Sequence, residues 1–444
     1  MPTLTDPLVI RDPTIDAKYA PYSYIIFKDD AGKVYARNGM TGQIDFSGTD
    51  AATVIQSAIN ALAQPGTIFI RSGSYYITKP ITLKWYCRIV GELASIRDKS
   101  TSFIVDSSFP QNDYVLKVIV SGNCPLAGGL ENIFIFNPTG NPVYGLLLDA
   151  SATGARLHDF VVRNLRTNYI DKGIHIKGYV WFCIFENILL AEVNSTYVGT
   201  QDIILEKATG DDYPKINRFI NIRIEHAGTV TNAISIEGGY NKFVNLEIDG
   251  GKYDEATIKF GGATGTAASN LIIGYRGQDL VATANTVANI YFSGSSVFGN
   301  WVEGFISRAN KSVCFANGAY RNYVRMNAFG LPPVIDATGA GADNVVEFVT
   351  PHLASTTTFT LTHTGNPVIY RGYRVQMSGV ATIPAGQTSV TVSHGLAATP
   401  SKVLVTPRGN IGSVWVSARD STSFTITCST APTADTMVDW YAEV

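Results

Sequence analysis

Short runs in which every second residue is apolar follow one another along most of the chain, separated by Gly, Asn or Pro. That alternation predicts strands with one face turned to a core. Six of the runs open alike, with a polar residue followed by apolar–x–apolar, at Asn132, Asp159, Asn187, Asn221, Asn245 and Asn270; a weaker seventh opens at Asn289. The steps between them are 19 to 34 residues. A second family of runs lies between the first, among them Leu146-Leu147-Leu148, Ile174-His175-Ile176, Ile203-Ile204-Leu205, Ile234-Ser235-Ile236 and Ile258-Lys259-Phe260. Phe185, Phe219 and Phe243 each precede a motif Asn by two positions. A motif returning at such steps is the signature of a solenoid, in which each repeat is one coil and insertions emerge as loops. Asn at one place in each coil can stack into a ladder, its amides bonding to the coils above and below.

The ends of the chain read differently. Val54, Ile55, Ala58, Ile59 and Leu62 fall at helical spacing, Thr49 or Asp50 can cap the free N–H groups, and Pro65-Gly66 stops the run. A solenoid needs such a cap, because its first coil would otherwise expose apolar surface and unpaired backbone. From Gly379 onward five or six short alternating strands with Gly and Pro turns predict a small β-sandwich. The fold expected is therefore all-β: a right-handed parallel β-helix with an N-terminal capping helix and a small C-terminal β-sandwich. The divisions expected are residues 1–45 as an N-terminal strand and attachment segment, 46–300 as the β-helix, 301–378 as a transition segment that loses the Asn register, and 379–444 as the terminal module.

Composition narrows the function. Of 444 residues only 16% are charged and 45% are hydrophobic, and the net charge of −2 gives duplex nucleic acid nothing to hold. No apolar run is long enough to enter a membrane. The opening Met1–Asp6 lacks the basic and apolar regions of a secretory signal, so export by another route, such as assembly into a virus particle, is one expectation. Cys87, Cys124, Cys183, Cys314 and Cys428 are scattered, with no metal-ligand spacing, and read as buried thiols. Neither a metal nor a cofactor is implied.

The stretch Thr49-Asp50-Ala51-Ala52 with its helix, Gly73-Ser74-Tyr75-Tyr76-Ile77, Pro80-Ile81-Thr82-Leu83 and Gly239-Tyr240-Asn241-Lys242-Phe243-Val244-Asn245 resembles the pectate-lyase-like parallel β-helix family, particularly the spikes and fibres of viruses and phages. The resemblance covers roughly residues 45 to 300 and is specific for fold, since that fold hosts lyases, hydrolases, adhesins and inert stalks. The Ala381–Thr391 segment resembles C-terminal modules of phage tail fibres. The resemblance implies a virion or extracellular receptor-binding spike, assembled as a homotrimer, that recognises surface glycan. The alternatives are a glycoside hydrolase or polysaccharide lyase acting on host polysaccharide, and a purely structural surface protein. The Arg-rich and calcium-binding motifs of the pectate lyases are not present.

Registering the repeats places Arg223 beside Glu247 and Glu225 beside Asp249, each one strand spacing apart (roughly 4.8 Å). Two carboxyl groups about 5 Å apart are what a retaining glycosidase needs. Glu225 and Asp249, with Glu247 as a third, are therefore the candidate catalytic acids. Arg223, His226, Tyr240, Tyr291 and Trp301 are candidate glycan contacts, because sugar faces stack on aromatic rings. Arg163 is expected to head the column of Arg223. The plain alternative is a solvated face on which Arg223 simply pairs with Glu247. Outward apolar positions Phe134, Val161, Leu189 and Ile272 would form one stripe, and burial of that stripe motivates the trimer.

Overall fold

Parallel pairing from coil to coil organises the chain, as the alternating pattern predicts. The computed structural model describes residues 22–94, 100–124, 128–193, 201–208, 212–278, 280–282, 286–307, 312–329, 334–348, 360–363, 369–371, 376–396 and 399–444. The Met1–Asp6 opening lies outside them. Tyr24–Lys28, Val34–Asn38 and Ile44–Gly48 form an antiparallel meander, and Tyr24–Lys28 also pairs in parallel with Gly66–Ile70. From there each coil contributes a strand to three faces. The first face runs from Gly66–Ile70 and Cys87–Gly91 through 218–220 and 242–244 to Ile369–Arg371. The second runs from Gly73–Ile77 through 222–226 and 246–250 to 326–329. The third runs from Ile81–Leu83 through Lys172–Gly178 and Gln201–Glu206 to Thr360–His363.

Two corners set the coil shape. Between the first and second faces a single residue turns the chain at positive φ: Asn132, Asn164, Asn187, Asn221 and Asn245, at +50 to +58°. Asn tolerates this conformation because its short amide bonds locally. Here the side chains form the exposed ladder: Asn132 Nδ2 donates to Gly91 O (3.1 Å), and each later Nδ2 donates to the Oδ1 of the coil before, at 2.8 Å for Asn164 to Asn132 and 3.0 Å for Asn221 to Asn187. Asp159, Asn270 and Asn289, expected in this column, are not in it. Asn164 takes the place given to Asp159, which turns the other corner at φ +58°. Asn270 belongs to a second ladder, and Asn289 lies in the third-face strand Ala288–Ser293.

The second ladder is interior. Asn217, Asn241, Asn270, Asn300, Asn322 and Asn344 are at most 1% exposed. Asn241 is typical: its Oδ1 accepts from Asn217 N (3.1 Å) and Asn217 Nδ2 (3.0 Å), while its own Nδ2 donates to Asn270 Oδ1 (3.0 Å) and Pro214 O (3.1 Å). The coils therefore do not end near residue 300, as the loss of the first motif suggested. They continue through 323–325 and 345–347 with the interior ladder intact.

The core is a set of columns. Phe185, Phe219 and Phe243 stack at 4.6 and 4.3 Å, and Phe260, Phe292 and Phe315 at 4.7 and 5.1 Å. All five cysteines are buried free thiols, and burial pushes Cys87 and Cys183 up to about 12. Helix α1 (Ala51–Ala61), its N-terminus capped by Asp50, buries Val54, Ile55, Ala58 and Ile59 and packs on Val34–Asn38, Ile44–Gly48, Gly73–Ile77 and Ile81–Leu83. Six C-terminal strands form two antiparallel three-stranded sheets around their own core of Ile383, Phe424, Ile426 and Val438.

Ile272 points inward at 0% exposure, and Val161 lies on the first face while Phe134 and Leu189 lie on the second with Arg166 between them. The apolar stripe expected from the sequence is not formed, because the corner residue shifts the register between faces.

Phe219→Ala is expected to destabilise the β-helix by about 3–5 kcal/mol, since the vacated volume borders two stacked rings that cannot close it. Denaturant unfolding followed by circular dichroism measures this.

Candidate functional site

The second face brings together Arg223, Glu225, Glu247 and Asp249, in the pairing read from the sequence: Arg223 opposite Glu247 and Glu225 opposite Asp249. Their side chains alternate outward because Ile222, Ile224, Leu246 and Ile248 fill the core. Arg223 is the hub. Its Nε lies 2.6 Å from Glu225 Oε1 and 4.0 Å from Glu247 Oε2, and its Nη2 lies 3.9 Å from Asp249 Oδ2. Arg276 reaches Glu247 from the next coil at 3.8 Å. The cluster is thus three acceptors held by two guanidinium groups, open to solvent, and suited to hydrogen-bonding hydroxyls. Arg163 does not head this column; it sits on the first face, paired with Glu186 at 2.9 Å.

The remaining candidates are dispersed. His226 was expected on the surface beside the acids, but the same alternation that turns Arg223 and Glu225 outward turns it inward, where its side chain is fully buried. There Nε2 stands 2.6 Å from Asp202 Oδ2, off the line of a good hydrogen bond, and burial pushes the Asp202 carboxyl up against the pull of the imidazole. Tyr240 is exposed at the corner that leads into the first face. Tyr291 points outward on the third face. Trp301 lies on the first face, stacked on Tyr323 at 4.1 Å. The structure brings none of these three to the acidic cluster.

What sequence reading missed is a groove two coils further on. The exposed ladder ends at Asn245, and the next corner is Gly274, at φ +71°. In the following coil the corner residue is absent, so that Ile273 pairs with Glu303 and Tyr275 already with Gly304. Gly304 is obligatory, because a Cβ there would lie 2.0 Å from Tyr275 O. With no side chain on the corner, a groove of about 450 Å³ opens between the faces, lined by Ile273, Glu303, Phe305, Arg325 and Asn327. Arg325 crosses it, 3.4 Å from Glu303 and 3.8 Å from Glu347, and its Nε is buried without an aligned hydrogen-bond partner. The signal was legible: Gly274 replaces the motif Asn, and the next repeat is one residue short.

A second polar chain lies on the third face. The Tyr114 hydroxyl is 2.5 Å from His175 Nδ1, and His175 Nε2 is 2.8 Å from Glu206 Oε2. The carboxylate can only accept, so neutral His175 carries its proton on Nε2 and accepts from Tyr114. Lys177 approaches the other Glu206 oxygen at 3.1 Å. The His175 hydrogen bond holds the Glu206 carboxyl down at about 2, against desolvation, with Lys177 assisting.

No family model and no curated protein matches the chain. Solved structures similar in fold include the tailspike protein of Acinetobacter phage vB_ApiP_P1 (12% identity, TM-score 0.42, 89% of this chain and 84% of that one). A mutant tailspike protein of E. coli bacteriophage HK620 in complex with a pentasaccharide is another (10%, 0.46, 89% and 90%). A third is the enzymatically active domain of bacteriophage CBA120 tailspike protein 2 (11%, 0.44, 84% and 59%). At such identities no side-chain role is carried over.

Glu206→Gln gives a pH test. A carboxyl held low in the folded state stabilises it above the unfolded value of about 4.3. That stability is lost as pH falls through about 2. The variant is expected to melt below the wild type at pH 6, with the gap narrowing steadily between about pH 4 and pH 2, as thermal melts across that range will show.

Proposed function

We propose that this chain is a receptor-binding spike of a virion or cell surface that recognises surface glycan along the corner between the first and second faces. The groove at that corner carries the reading. It sets an aromatic ring, Phe305, beside a guanidinium, a carboxylate and an amide (Arg325, Glu303 and Asn327), which is the mixture that stacks on and hydrogen-bonds a sugar. Trp301 and Tyr323 extend the aromatic surface along the first face, and the Arg223 cluster extends the polar surface along the second. In this reading α1 closes the first coil, the coils form the shaft, and residues 376–444 form a β-sandwich module. A homotrimer remains the proposed assembly, without the apolar stripe as its support.

A second reading is hydrolysis or lysis of the bound glycan. The juxtaposition of Glu225, Glu247 and Asp249 around Arg223 favours it, with one carboxyl as acid and another as base or nucleophile.

Binding of the full chain to immobilised bacterial O-antigen and capsular polysaccharides tests the first reading. At least one polysaccharide is expected to bind, and Arg325→Ala and Phe305→Ala are each expected to weaken it at least 10-fold. Binding to none, or undiminished binding by both variants, removes the proposal. If reducing ends are released, Glu225→Gln and Asp249→Asn should each lower turnover by about 10²-fold or more. Full activity in both would move the chemistry elsewhere.

A further inference from the structure

We propose that the third face carries a second ligand site, separate from the corner groove: a cleft that takes one sugar unit bearing a free amino group. The cleft has a volume of about 210 Å³ and is lined by Ile204, Glu206, Asn232, Ser235, Glu237 and Lys259. Its size suits a single ring rather than a chain.

Three observations carry the assignment. Ser235 is 6% exposed, and its hydroxyl has no hydrogen-bond partner among the described residues, although it lines the cleft. A hydroxyl that faces the cleft without a partner in the protein is free to bond a polar ligand. Glu237 is 2% exposed, and its carboxylate accepts only from the backbone N–H groups of Lys207 (2.7 Å) and Thr264 (2.6 Å). It has no ion pair among the described residues: Lys259 is held by Glu255 at 2.5 Å and Lys177 by Glu206 at 3.1 Å, and Lys207 meets it through its backbone N–H and not through its ammonium group. The surrounding turn makes room for this carboxylate, because a Cβ on Gly262 would meet Glu237 Cγ at 2.3 Å.

A buried carboxylate without a countercharge favours a cationic guest. Glu206 forms the wall on the His175 side, oriented by the Tyr114–His175 chain behind it. An ammonium group directed at Glu237 and Glu206, with ring hydroxyls on Ser235 and an apolar ring face over Ile204, satisfies every open group. A neutral hexose leaves Glu237 uncompensated, and an N-acetylated amine has no charge to offer.

Saturation-transfer difference NMR on the full chain, with glucosamine, N-acetylglucosamine and glucose as probes, tests the site. Glucosamine is expected to receive saturation and to titrate at least 10-fold more tightly than the other two. Ser235→Tyr should abolish the transfer by filling the cleft, and Tyr291 already occupies the same outward column, so the fold accepts the ring. Glu206→Gln should weaken glucosamine binding at least several-fold while leaving the fold intact. Absence of transfer from glucosamine, equal binding of glucose, or undiminished binding in both variants overturns the proposal.

Discussion

A carboxamide has two N–H donors and an oxygen with two lone pairs, and the stack of coils rests on using all four at one buried corner of each coil. Parallel coils share no covalent link across their stacking direction, so their register must be fixed by something that tolerates no slip. Core packing alone is permissive, because one Ile column resembles the next. The interior amides are not permissive. Each Oδ1 from Asn241 to Asn344 takes the backbone N–H and the amide of the coil before it, and each amide from Asn217 to Asn322 reaches both the next Oδ1 and a backbone carbonyl. Sliding one coil by a residue would leave several buried groups unpaired, at roughly 1–3 kcal/mol each. The residue before each of these Asn sits at positive φ, including Ile216 at +58°, a conformation that a β-branched residue adopts only under constraint.

From that constraint the surfaces follow. The interior ladder fixes where each coil starts, so the outward positions fall into straight columns, and charges that are distant in sequence become neighbours one strand apart. Arg223, Glu247 and Arg276 form one such column, and Glu303, Arg325 and Glu347 another. The exposed ladder is dispensable, by contrast. Where it stops, at Gly274, the interior ladder carries the register alone through Asn300, Asn322 and Asn344. The corner freed there becomes the groove, so the buried ladder and the groove occupy two different corners of the same coil.

Much of the fold was legible because alternation and the Asn repeat both report on geometry. Phe185, Phe219 and Phe243 announced a stacked column, and the pairing of Arg223 with Glu247 followed from counting outward from the motif Asn. The errors have one physical origin. Two ladders, one exposed and one buried, both use Asn, and sequence cannot say which corner an Asn occupies; Asn270 and Asp159 were therefore placed at the wrong one. His226 follows from the alternation itself, which turns Glu225 outward and the next residue inward. Tyr240, Tyr291 and Trp301 are ordinary outward aromatics whose face depends on where each coil bends. The Glu206–His175–Tyr114 chain spans several coils and leaves no local motif.

The most direct test of the interior ladder is the coupling energy between two adjacent rungs. Unfolding free energies of Asn241→Leu, Asn270→Leu and the double variant form a double-mutant cycle. If the ladder holds the register, each single change strands a buried amide that the second removes. The double variant should then lose at least about 1 kcal/mol less than the sum of the singles. Additivity within about 0.5 kcal/mol would mean that the rungs act independently and that side-chain packing sets the register.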